Sequence, residues 1–530
     1  MIALNRLTLA IHDTPILKDI TLKIAPGRVA GLVGESGSGK SMTALAIMGL
    51  LPHGAETSGQ VLLDKQDLID LPERRFCEIR GRRIGMIFQE PMTALNPVKP
   101  VGHQVMETLL IHGRATRTEA QEIARAGLAR VGLAEDAYFE RYPHELSGGQ
   151  RQRVAIAMAI ALGPELLIAD EPTTALDVTT QAQILKLLHD LVREDNMSLL
   201  LITHDLAVVA RMADHVAVMR QGEIVEQGPT EHLFRTMKHP YTRALLEATA
   251  HRPAKHFHSA QDVLLRAENV TRDYPGARIG LWRRGASLRA VDQVSFTLKR
   301  GETLGLVGES GCGKSTLTRA LLGLEATQGG EIEVIGKPFG VGRKIDAKLR
   351  AKMQVVFQDP FASFDPRWTV ERLVSEPLHL ANDTPSDQRA LVAQTLNDVG
   401  IETAAMDRYI HEFSGGQRQR IAIARALILR PDVIVLDEAV SALDVQVRAQ
   451  ILDLLAALQK AYGLAYLFIS HDLSVVRGFA DRVMVMRAGK IIEDGETEAV
   501  FTAPRHPYTR ALIEAAPTIP EDWIKGQHHA

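Results

Sequence analysis

Cysteine is nearly absent: only Cys77 and Cys312 occur in 530 residues. Two thiols exclude a disulfide scaffold and a cysteine-rich zinc or iron–sulfur site, and they fit a reducing compartment. An excess of either charge is also missing. A formal net charge of -3 gives no electrostatic case for nucleic acid as a partner. Long apolar runs are missing too. A membrane span needs roughly 18 uninterrupted apolar residues, and the best candidate, residues 154–163, is about half that and follows Arg151 and Arg153. The opening Met1-Ile2-Ala3-Leu4-Asn5-Arg6 lacks the charged-then-apolar layout of a signal peptide. We therefore expect a soluble, cytosolic chain. Aromatics are only 5%, but 45% hydrophobic and 24% charged residues are globular values, and the length asks for two or more domains.

What is present is organised around Gly34-Glu35-Ser36-Gly37-Ser38-Gly39-Lys40-Ser41, which fits G-x-x-x-x-G-K-[ST]. Its glycines let backbone N–H groups curl round phosphate oxygens where side chains would clash. Lys40 can reach the outer phosphates and the Ser41 hydroxyl can ligate magnesium. Residues 29–33 read as a buried strand and 41–50 as a helix, so the helix N-terminus faces the anion. A chance glycine-rich turn is excluded by a second copy, Gly308-Glu309-Ser310-Gly311-Cys312-Gly313-Lys314-Ser315, again between strand and helix.

The chain is a tandem repeat of a whole domain. Leu146-Ser147-Gly148-Gly149-Gln150 recurs as Phe413-Ser414-Gly415-Gly416-Gln417, and the pairs Asp170/Asp437, His204/His471 and Gly222/Gly489 keep the same 267-residue offset. We place half one at 1–252, a linker at 253–262, half two at 263–517 and a tail at 518–530. Half two carries a basic insertion near residues 278–285, read as a loop. His251, His256 and His258 lie around the linker, where fixed ligand geometry is lacking, so they are not taken as a metal site. Within each half, strand–helix alternation implies a largely parallel sheet covered by helices. Between the phosphate loop and the acidic strand lies a helical stretch. Ala120, Ile123, Ala124, Leu128 and Val131, with Leu391, Leu396 and Val399 in half two, fall at helical spacing and read as core packing.

Leu166-Leu167-Ile168-Ala169-Asp170-Glu171 and Val433-Ile434-Val435-Leu436-Asp437-Glu438 are apolar strands that end in two acids. Asp170 and Asp437 are suited to magnesium, and Glu171 and Glu438 to orienting an attacking water. Ser147 and Ser414 each start a helix with bare glycine amides behind the cap, which is a second kind of anion site.

Phosphate loop, Leu-Ser-Gly-Gly-Gln, Asp-Glu strand, Ala-Leu-Asp and a histidine, twice over nearly the whole chain, resemble the ATP-binding subunits of ABC transporters. The resemblance implies an α/β fold of two tandem P-loop NTPase domains. Each would have a RecA-like, mostly parallel core, a helical subdomain and a small antiparallel β part. It implies ATP and Mg2+ as cofactors. Ser41, Gln89 and Asp170, and Ser315, Gln358 and Asp437, would surround the metal. His204 and His471 would contact the γ-phosphate, and Ala175-Leu176-Asp177 and Ala442-Leu443-Asp444 would cross-talk between sites. Ser147, Gly148, Gly149 and Gln150 would serve the nucleotide of loop two, and Ser414, Gly415, Gly416 and Gln417 that of loop one. Both sites keep glutamate, histidine and Ser-Gly-Gly, so two hydrolytic sites are expected, unlike the fused sugar-importer pattern.

The family stacks adenine on an aromatic residue after the first strand. Tyr274 can serve in half two, whereas half one offers Ile11 and His12. Cys312 stands where half one has Ser38, and its place at a helix N-terminus predicts a lowered thiol pKa and alkylation selective for site two. His239-Pro240-Tyr241-Thr242-Arg243-Ala244-Leu245 and His506-Pro507-Tyr508-Thr509-Arg510-Ala511-Leu512 are similar to the C-terminal extension of oligopeptide, dipeptide and nickel importer ATPases, including fused peptide and glutathione importer subunits. The partners implied are two integral-membrane permeases and a periplasmic solute-binding protein. The place implied is the cytoplasmic face of the inner membrane, with no nucleic acid and no iron–sulfur cluster. A ribosome-acting tandem ABC factor would have a long charged linker instead, and a DNA-repair ABC ATPase would have zinc-binding cysteines and a basic surface.

Overall fold

The computed structural model describes residues 2–524 except 70, 91–93, 175, 255–260, 277, 280–282, 286, 342–346, 360 and 382–386. The chain forms two compact units, Met1–Thr249 with Pro517–Ala530, and Ala250–Ala516. Pro91, Ala175, Pro360, His256, His258 and most of the expected linker lie outside the described residues.

In the first unit the Val29–Val33 strand is wholly buried, with helices on one face of its sheet and the Lys40–Met48 helix and a second sheet on the other. The sheet has six strands. From one edge these are Glu223–Pro229, His215–Arg220, Val29–Val33, Ser198–Thr203, Leu166–Asp170 and Ile84–Ile87. The inner pairings are parallel, and only the Glu223–Pro229 edge strand runs antiparallel. Parallel pairing puts the carboxyl ends of Val29–Val33, Ser198–Thr203 and Leu166–Asp170 on one rim, where ligands bind open α/β sheets. A second, antiparallel sheet is built from Ile2–Ile11, Thr14–Ile24, Ala55–Leu63 and Gln66–Asp67. Its Leu4, Leu7 and Leu9 share one core with Leu32, Ile47, Ile168 and Ile202.

The helical part comprises Val101–Ile111 and Arg117–Arg130, which pack with the Gly148–Ile160 helix. Ala120, Ala124, Leu128 and Val131 are buried as expected, but Ile123 is 42% exposed. At 100° per residue the four buried positions share a narrow stripe, and Ile123 lies about 100° from its centre.

The second unit repeats this plan. Its mostly parallel sheet orders Met353–Val356, Val433–Asp437, Ala465–Ile469, Thr303–Val307, Arg482–Arg487 and Lys490–Glu496. The antiparallel partner contains Val263–Tyr274, Leu288–Lys299, Gly329–Val334 and Lys337–Pro338. The basic insertion is not simply a loop: Arg278–Ile279 pairs antiparallel with Arg283–Arg284. Two-residue strands are too short to leave an alternation in the sequence.

After the second unit the chain returns to the first. The Glu521–Ile524 turn packs on the Thr230–Thr236 helix, where Arg235 Nη2 lies 2.6 Å from Asp522 Oδ2 and the Phe234 and Trp523 rings are 5.9 Å apart. Among the described residues no helix is long and apolar enough to cross a membrane.

Candidate active sites

Each phosphate loop leaves a buried strand and enters a helix, Lys40–Met48 or Lys314–Leu321. Gly34 and Gly308 are required by close approach: a Cβ there would sit 2.2 Å from the carbonyl oxygen of Met219 or Met486. Lys40 is buried, and its Nζ donates to the carbonyls of Gly34 at 2.8 Å and Glu35 at 2.7 Å. Lys314 does the same to Gly308 at 2.6 Å and Glu309 at 3.0 Å. The lysine charge is thus held over the loop mouth.

Beside the loop, Asp170 ends its strand buried. Burial pushes its carboxyl pKa up, a hydrogen bond from Ser41 pulls it down, and the Glu171 charge raises it further, for a net rise. Its Oδ1 is a buried acceptor without a hydrogen-bond partner. An orphaned carboxylate oxygen next to a serine hydroxyl fits a hard cation, and magnesium takes few protein ligands because phosphates and waters supply the rest. That few-ligand set agrees with the lack, among the described residues, of any cluster of three or more His, Cys, Asp or Glu suited to a metal. In half two burial and the Glu438 charge raise Asp437, opposed by Lys314 and Arg319.

Glu171 and Glu438 sit at φ 46° and 50°, the left-handed region that costs a non-glycine residue of order 1–3 kcal/mol. The bend turns each carboxylate toward its histidine, with His204 Nδ1 3.2 Å from Glu171 and His471 Nδ1 3.3 Å from Glu438. Burial raises these carboxyl pKa values, but the histidine hydrogen bond and charge, with Thr174 and Lys40 in half one and Lys314 in half two, outweigh it, so both end lowered. A carboxylate kept ionised in a buried place can accept a hydrogen bond from a water and polarise it. Half one adds two donors that sequence reasoning did not pair with the glutamate: Gln89 Nε2 at 3.0 Å, and Thr174 Oγ1 at 2.9 Å, on the carboxylate. In half two Ser441 Oγ donates to the Glu438 backbone carbonyl instead, at 2.8 Å.

Ser147 and Ser414 are N-caps closed reciprocally by Gln150 and Gln417, a capping box in each half. Gly149 and Gly416 are demanded by packing, since a Cβ would meet Thr180 or Val447 at 2.4 or 2.5 Å. Asp177 and Asp444 cap the following long helices, accepting from Thr180 N–H at 2.9 Å and Val447 N–H at 3.0 Å. Tyr274 ends the Val263–Tyr274 strand and lies beside the second loop. Its hydroxyl donates to Glu325 at 2.6 Å and is 3.4 Å from Thr316 Oγ1, and the Arg272 guanidinium lies 4.7 Å from its ring centre.

The Cys312 expectation is overturned. The thiol is buried, and desolvation raises its pKa against the smaller pull of Lys314. Its side chain points into the core of the unit rather than along the helix dipole toward solvent.

The ABC transporter family profile matches residues 17–174 and 291–441, and that of the oligopeptide/dipeptide transporter C-terminal region matches 225–268 and 492–529. The chain is 47% identical over 527 residues to the peptidoglycan transport ATP-binding protein YejF of Agrobacterium fabrum, covering 97% of this chain and 96% of that protein. It is 47% identical over 539 residues to the glutathione import ATP-binding protein GsiA of Escherichia coli, covering 94% and 86%. The solved part of the ABC transporter complex cbiONQ, cbiO1 of Clostridium perfringens, is 31% identical with TM-score 0.41, covering 48% of this chain and all of that one. The chain belongs to the ABC transporter family and is an importer-type ATP-binding subunit, an ATPase with two nucleotide-binding domains of the peptide and glutathione import branch.

Proposed function

We propose that this chain hydrolyses ATP at both sites to energise uptake of peptides or peptide-like solutes, glutathione included. It does so through two integral-membrane permeases at the cytoplasmic face of the inner membrane, with a periplasmic binding protein delivering the solute. The observation that carries the proposal is the pair of oligopeptide-transporter C-terminal regions, one after each ATPase core. The two relatives named above are named for peptidoglycan transport and glutathione import. Phe88 and Phe357, next to Gln89 and Gln358, are large apolar side chains left 40% and 41% exposed, which suits a protein partner at that loop.

At each site the loop amides and the lysine hold the phosphates. Magnesium, when bound, neutralises phosphate charge. Ser41, Gln89 and Asp170 would hold it in half one, and Ser315, Gln358 and Asp437 in half two. Glu171 and Glu438 orient the water, while His204 and His471 help keep them ionised and would contact the terminal phosphate. Ser147-Gly148-Gly149 and Ser414-Gly415-Gly416 each start a helix and would add helix-start amides as anion donors. ATP then favours the closed arrangement because only there does it meet both sets of donors.

Affinity purification of the tagged chain from detergent-solubilised membranes, followed by mass spectrometry, tests the proposal. Two multi-span permeases are expected. Ribosomal proteins, or no membrane partner, would overturn it.

A further inference from the structure

We propose that Tyr241 and Tyr508, the tyrosines of the repeated His-Pro-Tyr-Thr-Arg-Ala-Leu block, are positioning residues that anchor the phosphate loops from the C-terminal extensions. The Glu35 N–H donates to Tyr241 Oη at 3.2 Å, and the Glu309 N–H donates to Tyr508 Oη at 3.1 Å. Both tyrosines are buried, and an arginine guanidinium lies on each ring, Arg220 at 4.9 Å and Arg487 at 4.7 Å from the centre.

The surrounding residues are arranged to place that hydroxyl. On the edge strand, Glu226 accepts from the N–H groups of Lys238 at 2.8 Å and His239 at 3.2 Å. His239 Nδ1 accepts from Tyr241 N–H at 3.1 Å at the start of the Pro240–Thr249 helix. Half two repeats each link. Glu493 accepts from Arg505 at 2.8 Å and His506 at 3.1 Å, and His506 Nδ1 accepts from Tyr508 N–H at 3.0 Å. Strand, glutamate, histidine, tyrosine and phosphate loop form one connected chain, kept in both copies of the repeat.

The peptide groups of residue 35 are therefore held from two sides: its N–H by Tyr241, and its C=O by Lys40 and the Ser38 N–H. Residue 309 is held likewise by Tyr508 and Lys314. When the lysine turns to a phosphate it gives up the carbonyl, while the tyrosine hydroxyl still holds the N–H from the side of the extension. A loop fixed at its entry presents its amides already converged, so less ordering is needed on binding. The extension thereby tunes nucleotide affinity rather than the chemical step.

The inference rests on the 34–41 and 308–315 loops being the phosphate sites, and the test separates the two claims. Tyr241→Phe and Tyr508→Phe remove only the hydroxyls and keep the rings and their arginines. Expected are a KM for ATP raised about fivefold in the double variant, the worth of one net hydrogen bond per site, and a kcat within about twofold. Amide exchange in residues 34–38 and 308–312 should quicken in the nucleotide-free full chain, with no change in its thermal midpoint. An unchanged KM with unchanged exchange would overturn the inference. A lowered midpoint with unchanged KM would also overturn it, by assigning the tyrosines a structural role. Lys40→Ala with Lys314→Ala is the control: retained ATP binding there would instead refute the loops as phosphate sites.

Discussion

The two halves use one sequence plan but hold the carboxylates proposed to orient water differently. Glu171 is gripped by His204, Gln89 and Thr174, whereas Glu438 has His471, and the hydroxyl equivalent to Thr174, that of Ser441, is turned to the backbone. The nucleotide end shows the reverse. Half two has Tyr274 at its loop, anchored by Glu325, while the corresponding place in half one holds Ile11 and His12. Under the proposed function, site one has more donors on the water-orienting glutamate and site two has the aromatic ring for the base. A repeat can therefore keep every motif residue and still divide labour through the donors around it.

The largest effect expected is at the glutamates. Glu171→Gln and Glu438→Gln should each lower turnover at their own site by about 10²-fold or more, with the greater loss of total phosphate release from Glu171→Gln. A greater loss from Glu438→Gln would break the comparison. Next is the acid limb of the pH profile. The rate needs the ionised carboxylate, and His204 leads the groups that outweigh burial to keep the Glu171 pKa low. His204→Ala leaves burial unopposed by the histidine, so the pKa rises and activity falls off at higher pH than in the parent, read as the acid limb of kcat in a Glu438→Gln background. An acid limb that stays put would mean His204 does not set that pKa. The smallest effect expected is Tyr274→Ala, which should raise the ATP KM at site two by about tenfold or less and leave site one unmoved. Equal shifts at both sites would remove the asymmetry in base binding.

Much of this was legible in the sequence because motif and period survive without tertiary context. The phosphate loops, the Asp-Glu strand ends and the Ser-Gly-Gly helix starts all fall where spacing placed them. What was not legible depends on contacts distant in the chain. Tyr241 and Glu35 are 206 positions apart, and Tyr508 and Glu309 are 199, so nothing local marks either tyrosine as a loop anchor. Trp523 packs on Phe234, a docking that composition does not signal. Cys312 misled for the same reason: its helix-start position is written in the sequence, its burial is not. Thr174 and Ser441 occupy equivalent positions, and only coordinates tell which hydroxyl reaches a carboxylate.

The central claim is that the chain binds two nucleotides, one on the phosphate loop of each half. The most direct measurement is the number of ATP molecules bound at saturation, with magnesium, by the full chain carrying Glu171→Gln and Glu438→Gln. Two per chain is predicted, falling to one when either Lys40→Ala or Lys314→Ala is added. One per chain without the lysine substitutions would contradict the account.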